Sequence, residues 1–328
     1  MSLNIAADSK RTLVYVHGRQ CQPGPEAMLD LMLSALAAGI ERDYPENLSD
    51  FRAISKRLAY YGDRTNALLR ERGEHYDEQL DLGDCRNALQ QLRSLDKRKK
   101  FSLANYDKLP GKSAVPELAA GVAGPLLSSI GLGGKLIAKV APDIVAYWDK
   151  KSDFAPAVRG AVRAAICDAL QGDEQLLLVT HGTGSIIAWD VLWQLSHDPR
   201  FAEFASSKID TWITLGSPLG DTTVRRRLLG AREKARRKFP NNIVSWHNVS
   251  AEDDWLCHDN TLADDYKGML RQKQVSAIRD YRIYNLSVRY GKSDPHCALG
   301  YLIHPRTSQL IVDWLTRAEL EPPPKHIF

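Results

Sequence analysis

A buried strand, a tight turn and a helix follow one another in residues 176–188, LLLVTHGTGSIIA. The apolar run 176–179 is typical of a buried strand, and residues 186–195 carry apolar side chains at helical spacing. The turn between them contains Gly182 and Gly184, which permit a sharp change of direction at low steric cost. Since a strand that passes directly into a packed helix is the repeating unit of parallel sheets, this segment predicts an α/β fold.

The rest of the chain alternates between strand and helix patterns. Strands are predicted at residues 12–16, 57–61, 176–180, 209–215, 243–248 and 281–286, and helices at residues 25–38, 155–170, 185–196, 222–239 and 305–318. The alternation predicts a single domain over residues 1–328, with a mostly parallel sheet of roughly eight strands flanked by helices. Residues 64–150 lack strand patterns and are predicted to form a helical cap inserted into that domain.

Composition narrows the class of protein. A net charge of +4 over 328 residues is too small to indicate nucleic-acid binding. The five cysteines are widely spaced with no C-x-x-C pair, which favours reduced thiols and a cytoplasmic protein. The N-terminal residues lack the apolar core of a secretory signal. The charge-free stretch 118–134 is rich in glycine and contains Pro125, so it is not predicted to span a membrane.

The turn after strand 176–180 has the frame of the sharp elbow that presents a nucleophile, with small residues two positions to either side of its centre. Centring it on Gly182 gives Thr180 and Gly184 as flanks, whereas centring it on Thr183 would crowd His181. Gly182 is therefore predicted at a positive φ, in the position where a nucleophile would stand. Glycine has no side chain that could attack a substrate.

Sites in parallel sheets lie at the carboxyl ends of the strands, and backbone donors are predicted at two of them. Gly18 and Arg19 follow the first long strand, and a loop there can direct an N–H group at a developing oxyanion. The N–H of Thr183 lies at the start of a helix, where the helix dipole favours negative charge.

An acid and a base follow two later strands. Asp253 and Asp254 come after strand 243–248, and His296 lies in the loop before the last helix. The order along the chain is nucleophile position, acid, histidine, which is the order found in α/β-hydrolases. A metal pocket of Asp254, His258 and His296 is an alternative, but its spacing matches no recognised metal motif.

Five segments in the same order resemble the α/β-hydrolase superfamily, in its lipase and esterase branch. LVYVHG resembles the strand before the oxyanion loop, LLLVTHGTGSIIAWDVL the elbow and its helix, and TWITLGSPLG the next strand. NVSAEDDWLCHD resembles the acid loop and DPHCALGYLIHP the histidine loop. The resemblance implies an α/β-hydrolase fold with a cap and no cofactor or metal. It assigns Asp254 as the acid with Asp253 as the alternative, His296 as the base, and Gly18 or Arg19 with Thr183 as oxyanion donors. The chain departs from the family at Gly182, where the family has Ser, Cys or Asp.

A basic run lies in residues 225–238. If this segment is helical, its apolar residues form one stripe and its basic residues the solvated face. An attraction to anionic phospholipid headgroups is the alternative. The residues that would make this contact are Arg225, Arg226, Arg227, Arg236, Arg237 and Lys238.

Two classes of function follow from these patterns. The first is a hydrolase of carboxylic esters, including lipid-like esters, that lacks a nucleophile at position 182. The second is a silent relative that binds a small ligand or a protein partner in the same cleft, or an inactivated variant of a serine hydrolase.

Overall fold

The computed structural model describes residues 3–5, 11–95, 142–172, 175–257 and 261–317. Within these ranges the strands are β1 Leu3–Ile5, β2 Arg11–Val16, β3 Ser55–Ala59, β4 Gln175–His181, β5 Ile209–Leu215, β6 Ile243–Ala251, β7 Ala277–Ile283, β8 Val288–Arg289 and β9 Lys292–Ser293. The α-helices are α1 Pro25–Asp43, α2 Leu48–Ala53, α3 Gly62–Glu71, α4 Glu78–Arg93, α5 Pro142–Trp148, α6 Phe154–Leu170, α7 Gly184–His197, α8 Thr222–Arg225, α9 Leu262–Asp265, α10 Lys267–Arg271, α11 Ala298–Leu302 and α12 Pro305–Leu315.

The predicted α/β fold is confirmed. Seven strands form one sheet in the order β1-β3-β2-β4-β5-β6-β7, and β8 and β9 form a separate two-stranded hairpin. β1 is antiparallel to β3, while the other neighbouring pairs in the large sheet are parallel. In the part of the chain that the structure describes, the sheet therefore has seven strands, against the roughly eight predicted.

The register aligns the carboxyl ends of the central strands. Val16 of β2 pairs with Thr180 of β4, which in turn pairs with Thr214 of β5. The loops that follow these three strands consequently leave the sheet at the same edge. Gly18, Gly182 and Gly216 come one or two residues later and are brought together there.

The core lies on both faces of the sheet because alternate residues of each strand point to opposite sides. Leu176 and Leu178 of β4 pack with α6 and α7 in one cluster, whereas Leu177 and Val179 pack with α1 and α12 in the other. The sheet is thus covered by helices on both faces, as the apolar run in β4 predicts.

Four strands begin earlier than predicted, β2 and β4 by one residue and β3 and β7 by more. β3 begins at Ser55 rather than residue 57, and β7 begins at Ala277 rather than residue 281. β7 is an edge strand with one neighbour in the sheet, so it includes the polar residues Arg279 and Asp280. The apolar pattern used to find strands does not extend over such a segment.

The predicted helix over residues 222–239 is wrong. Helix α8 ends at Arg225, and Gly230 has a φ of 83°, a left-handed conformation that interrupts a helix. A Cβ on Gly230 would overlap the Trp193 ring, so the chain must turn here. Of the expected apolar stripe, Val224, Leu228 and Phe239 are buried, whereas Ala235 is exposed.

The cap predicted over residues 64–150 lies partly outside the described residues, which omit 96–141. The described flanks of this segment are helical, in α3, α4 and α5. No helix within the described ranges is long and apolar enough to cross a membrane. The stretch 118–134 lies outside those ranges.

Candidate functional site

Gly182 forms the turn between β4 and α7 with a φ of 52°. Its N–H donates to the carbonyl of Leu215 over 2.9 Å, which anchors the turn to the end of β5. A Cβ atom placed on Gly182 would lie 3.0 Å from Nε2 of His296 and 3.9 Å from the Cα of Gly18. The open position above Gly182 therefore faces both the predicted base and the predicted oxyanion loop.

His296 and Asp254 form a hydrogen-bonded pair. Nδ1 of His296 lies 2.7 Å from Oδ2 of Asp254. Because an ionised carboxylate can only accept, Nδ1 carries the hydrogen and the neutral ring has its lone pair on Nε2. The basic nitrogen is thus the one directed at Gly182.

Asp254 is held by three donors in a buried environment. The carboxylate is 1% exposed, and it accepts from the hydroxyl of Tyr301 at 2.7 Å and from the N–H of Leu256 at 3.0 Å. Gly216 provides the space for the pair, since a Cβ there would lie 3.0 Å from Oδ2 of Asp254. These contacts hold the carboxylate in one orientation relative to His296.

Asp253, the alternative acid, takes a different position. It is partly exposed and lines a surface cleft, while its neighbour Asp254 reaches His296. The structure therefore brings His296 together with Asp254 of the two candidates.

Two opposing effects set the pKa of His296. Burial lowers it, since the charged ring is poorly solvated, but the charge of Asp254, the hydrogen bond to it and the charge of Asp294 together raise the pKa above its ordinary value. The imidazole is 21% exposed, so it is also accessible from solvent. These properties suit a general base at neutral to mildly alkaline pH.

The loop after β2 is fixed by Tyr61. Its hydroxyl donates to the carbonyl of His17 at 2.5 Å and lies 3.0 Å from the carbonyl of Gly18. In a trans peptide the N–H points away from the carbonyl, so the N–H groups of Gly18 and Arg19 face the side of the loop away from Tyr61. A Cβ on Gly18 would lie 2.9 Å from Nδ1 of His181, which explains the need for glycine there.

The elbow and this loop touch through their backbones. A Cβ on Gly184 would lie 2.2 Å from the carbonyl oxygen of His17. The first turn of α7 therefore lies directly on the loop after β2, with no side chain between them.

The two other predicted donors, Arg19 and Thr183, differ in what surrounds them. Arg19 lies 3.6 Å from Asp143, with both side chains nearly buried. Thr183 is the N-cap of α7, and its N–H has no acceptor among the described residues. It remains available for an anion at the start of the helix.

No family model, curated protein or solved structure matches this chain.

Two cavities meet at this site. A cleft of about 760 Å³ reaches His296, Gly18 and Arg19, which is a volume typical of small-molecule sites. A smaller apolar cavity begins at Arg19 and Thr183 and lies between α5 and α7. Its walls include Ile144, Tyr147, Trp148, Phe154, Ile186 and Ile187.

The metal alternative gains no support. No group of three potential ligands occurs in the described ranges. Asp254 and His296 contact each other, and His258 lies outside those ranges.

Sequence reasoning missed Tyr301, Tyr61 and His181. Tyr301 contacts Asp254 from 47 positions away, and Tyr61 contacts the loop 43 positions before it. No local pattern signals such contacts. His181 adjoins Gly182 and was considered only for the crowding it would cause, although its ring lies beside that of His296.

Proposed function

We propose that this chain is an α/β-hydrolase-fold protein that hydrolyses carboxylic esters with water as the nucleophile. The observation that carries this proposal is the line from Asp254 through His296 to the open position above Gly182. The order of the three residues along the chain and the neighbouring backbone donors support it further.

In the proposed reaction a water molecule lies in the cleft beside Nε2 of His296, near Gly182. Nε2 of His296 accepts a proton from this water as its oxygen bonds to the ester carbonyl carbon. The carbonyl oxygen becomes an oxyanion beside the N–H groups of Thr183 and of Gly18 or Arg19. Collapse of the intermediate breaks the bond to the alcohol oxygen, which takes the proton from His296, and an acid and an alcohol leave.

This route has no covalent acyl intermediate and is slow for that reason. Triad enzymes that have lost a member keep a residual rate of about 10³–10⁴-fold over water, supplied by the oxyanion donors and by substrate binding. We expect a comparable rate here. The apolar cavity beside Thr183 measures only about 20 Å³, room for about one water molecule, so the cleft of about 760 Å³ must take the acyl group as well.

The test is hydrolysis of p-nitrophenyl esters by the purified chain and by two variants. His296→Ala should lower the enzyme-dependent rate by at least about 10²-fold, the contribution of a general base, and leave only what the donors and substrate binding supply. His197→Ala, which removes a histidine bonded to Phe239, is the matched control and should retain the rate. Because no acyl-enzyme forms, p-nitrophenol release should be linear from the first turnover. A stoichiometric burst, or full activity in His296→Ala, would place the nucleophile elsewhere.

A catalytically silent ligand-binding relative is the second candidate. It is favoured by the distance of 3.0 Å between Nε2 of His296 and a Cβ on Gly182, which leaves little free space between them. Inertness towards every ester, both in this chain and in a folded Gly182→Ser variant, would support this candidate over the hydrolase.

A further inference from the structure

The cleft that reaches His296 has a charge opposite to that of the whole chain. Its lining includes five carboxylates, Glu74, Asp81, Asp143, Asp253 and Asp294, and two guanidinium groups, Arg19 and Arg289. The chain as a whole carries a net charge of +4. The negative charge is therefore a local property of this cleft.

Both guanidinium groups are paired with carboxylates. Arg289 contacts Asp81 at 2.6 Å and Asp84 at 2.5 Å, and Arg19 lies 3.6 Å from Asp143. These ion pairs offset the positive charge of both arginines. Since the cleft is lined by more carboxylates than arginines, it keeps a net negative charge.

The thiol of Cys21, which also lines the cleft, is subject to this negative charge. Burial raises its pKa, and the carboxylates of Glu74, Asp143 and Asp81 raise it further. A negatively charged thiolate is disfavoured at this point, and an anionic ligand would be disfavoured for the same reason.

Tyr15 supplies an independent indication of a ligand. It lies on β2 at the inner wall of the cleft and is 3% exposed. Its hydroxyl has no hydrogen-bond partner in the described part of the chain, yet it is not sealed off from the cleft. A buried phenol normally has a partner, so this hydroxyl is available to one that enters the cleft.

We propose that this cleft binds the protonated amine of a substrate whose alcohol part is an amino alcohol. An ammonium N–H can donate to the oxygen of Tyr15, and its charge complements the surrounding carboxylates. This inference rests on the proposed function, because His296 protonates the leaving alcohol and so places that part of the ester in the cleft.

Two esters of the same shape test the charge preference. 2-(Dimethylamino)ethyl butyrate is protonated at pH 7, and 3-methylbutyl butyrate is its neutral isostere. We expect kcat/KM to be at least tenfold higher for the cationic ester. An equal or lower value would overturn the inference.

Variants assign the preference to the cleft. Glu74→Gln should reduce it roughly threefold to tenfold, as expected for one charge several ångströms away at intermediate dielectric. Tyr15→Phe should lower kcat/KM for the protonated dimethylamino ester, which has an N–H to donate. It should leave kcat/KM for the trimethylammonium analogue, which has none, unchanged. Glu46→Gln removes an exposed carboxylate outside the cleft and should have no effect. Equal effects of Glu74→Gln and Glu46→Gln would contradict the assignment.

Direct binding separates this inference from the proposed function. Saturation-transfer NMR on the His296→Ala protein compares the two butyrate esters without turnover. If the amine ester binds preferentially to His296→Ala while the unmodified chain hydrolyses no ester, the proposed function is refuted and the amine site stands. If the unmodified chain hydrolyses both esters and neither binds preferentially, the amine site is refuted and the proposed function stands.

Discussion

His181 fixes the backbone of His296 through its own ring. Nε2 of His181 lies 2.9 Å from the carbonyl oxygen of His296, and the ring centroids are 4.7 Å apart. Since the carbonyl can only accept, Nε2 of His181 carries the hydrogen. Burial, followed by the nearby charge of His296, lowers the pKa of His181 to about 3, so this donor stays neutral.

The first prediction follows from this contact. His181→Phe keeps a ring but removes the donor, and misplacement of His296 should lower kcat by roughly 10²-fold. His181→Gln keeps an N–H that can reach the carbonyl and should recover part of the rate. The readouts are kcat and the midpoint of the pH–rate profile. An unchanged midpoint with a lowered Tm would indicate a structural role only.

The second prediction concerns the missing nucleophile. Gly182→Ser should raise hydrolysis of short activated esters and produce a burst from an acyl-enzyme. The positive φ should cost about 1–3 kcal/mol, and His296 must retreat by a few tenths of an ångström from the new Cβ. Gly182→Ala adds the same Cβ without the oxygen and is the matched control. A burst in Gly182→Ala, or no gain in a folded Gly182→Ser protein, would contradict the predicted role of position 182.

The third prediction separates the two aspartates. In the Gly182→Ser background, Asp254→Asn should lower kcat by about 10⁴-fold, because an amide favours the wrong tautomer of His296. Asp253→Asn should lower kcat far less. Steady-state kinetics on a p-nitrophenyl ester provide the comparison, and the reverse ranking would identify Asp253 as the acid.

The fourth prediction is that acid destabilises the fold. Burial lowers the pKa values of four histidines to about 4 or about 3: His17, His181, His247 and His304. Below about pH 6.5 the unfolded chain binds these protons and the folded chain does not. The free energy of unfolding therefore falls by about 1.4 kcal/mol for each group with every unit by which the pH is lowered.

Groups whose pKa is raised in the folded state oppose this trend, and burial raises the pKa of Asp210 and of Asp294 in this way. Burial raises the pKa of Asp190 to about 6, and the pKa of His296 is also raised, so both are protonated more readily in the folded state. At pH 5–6 His296 is protonated in both states and adds little, so after Asp190 is counted up to three of the four histidine contributions remain, up to about 4 kcal/mol for each unit of pH between pH 6 and pH 5. Urea unfolding across this range measures the slope. His304→Asn should reduce it, whereas His75→Asn, at an exposed position, should not.

The fifth prediction concerns anionic membranes. Three of the six basic residues have partners: Arg225 contacts Asp265, Arg237 contacts Glu233, and Arg227 stacks on Trp148. The other three are exposed: Arg226, Arg236 and Lys238. At about 1 kcal/mol for each basic residue, replacing these last three by Gln should weaken binding to phosphatidylserine vesicles roughly 100-fold. The matched control replaces Arg52, Arg86 and Arg279, which are also exposed. Equal losses in both variants in a co-sedimentation assay would argue against a specific contact.

The strands of the sheet and the sharp turn at Gly182 could be predicted from local sequence. The apolar runs of β4 and β5 and the paired glycines after β4 predict buried strands and a positive φ, because burial and steric freedom are properties of single residues. The helix predicted through Gly230 was wrong because a packed Trp193 ring from a distant helix determines the turn.

The choice between Asp253 and Asp254 could not be made from sequence. Both follow β6 within one position of each other, and the orientation depends on Tyr301 and Gly216, which come from other parts of the chain. The charge of the cleft was equally hidden, since its carboxylates come from segments more than 200 residues apart.

The close approach of Gly184 to His17 has a consequence for the evolution of this site. The relative position of the elbow and the donor loop is set by main-chain contact, so it does not depend on the side chain at position 182. In this chain Gly182→Ser would place a hydroxyl beside the hydrogen-bonded pair of His296 and Asp254 and next to the loop after β2, all already in place. Gain or loss of a nucleophile at this position therefore needs one amino-acid substitution and no rearrangement of the backbone.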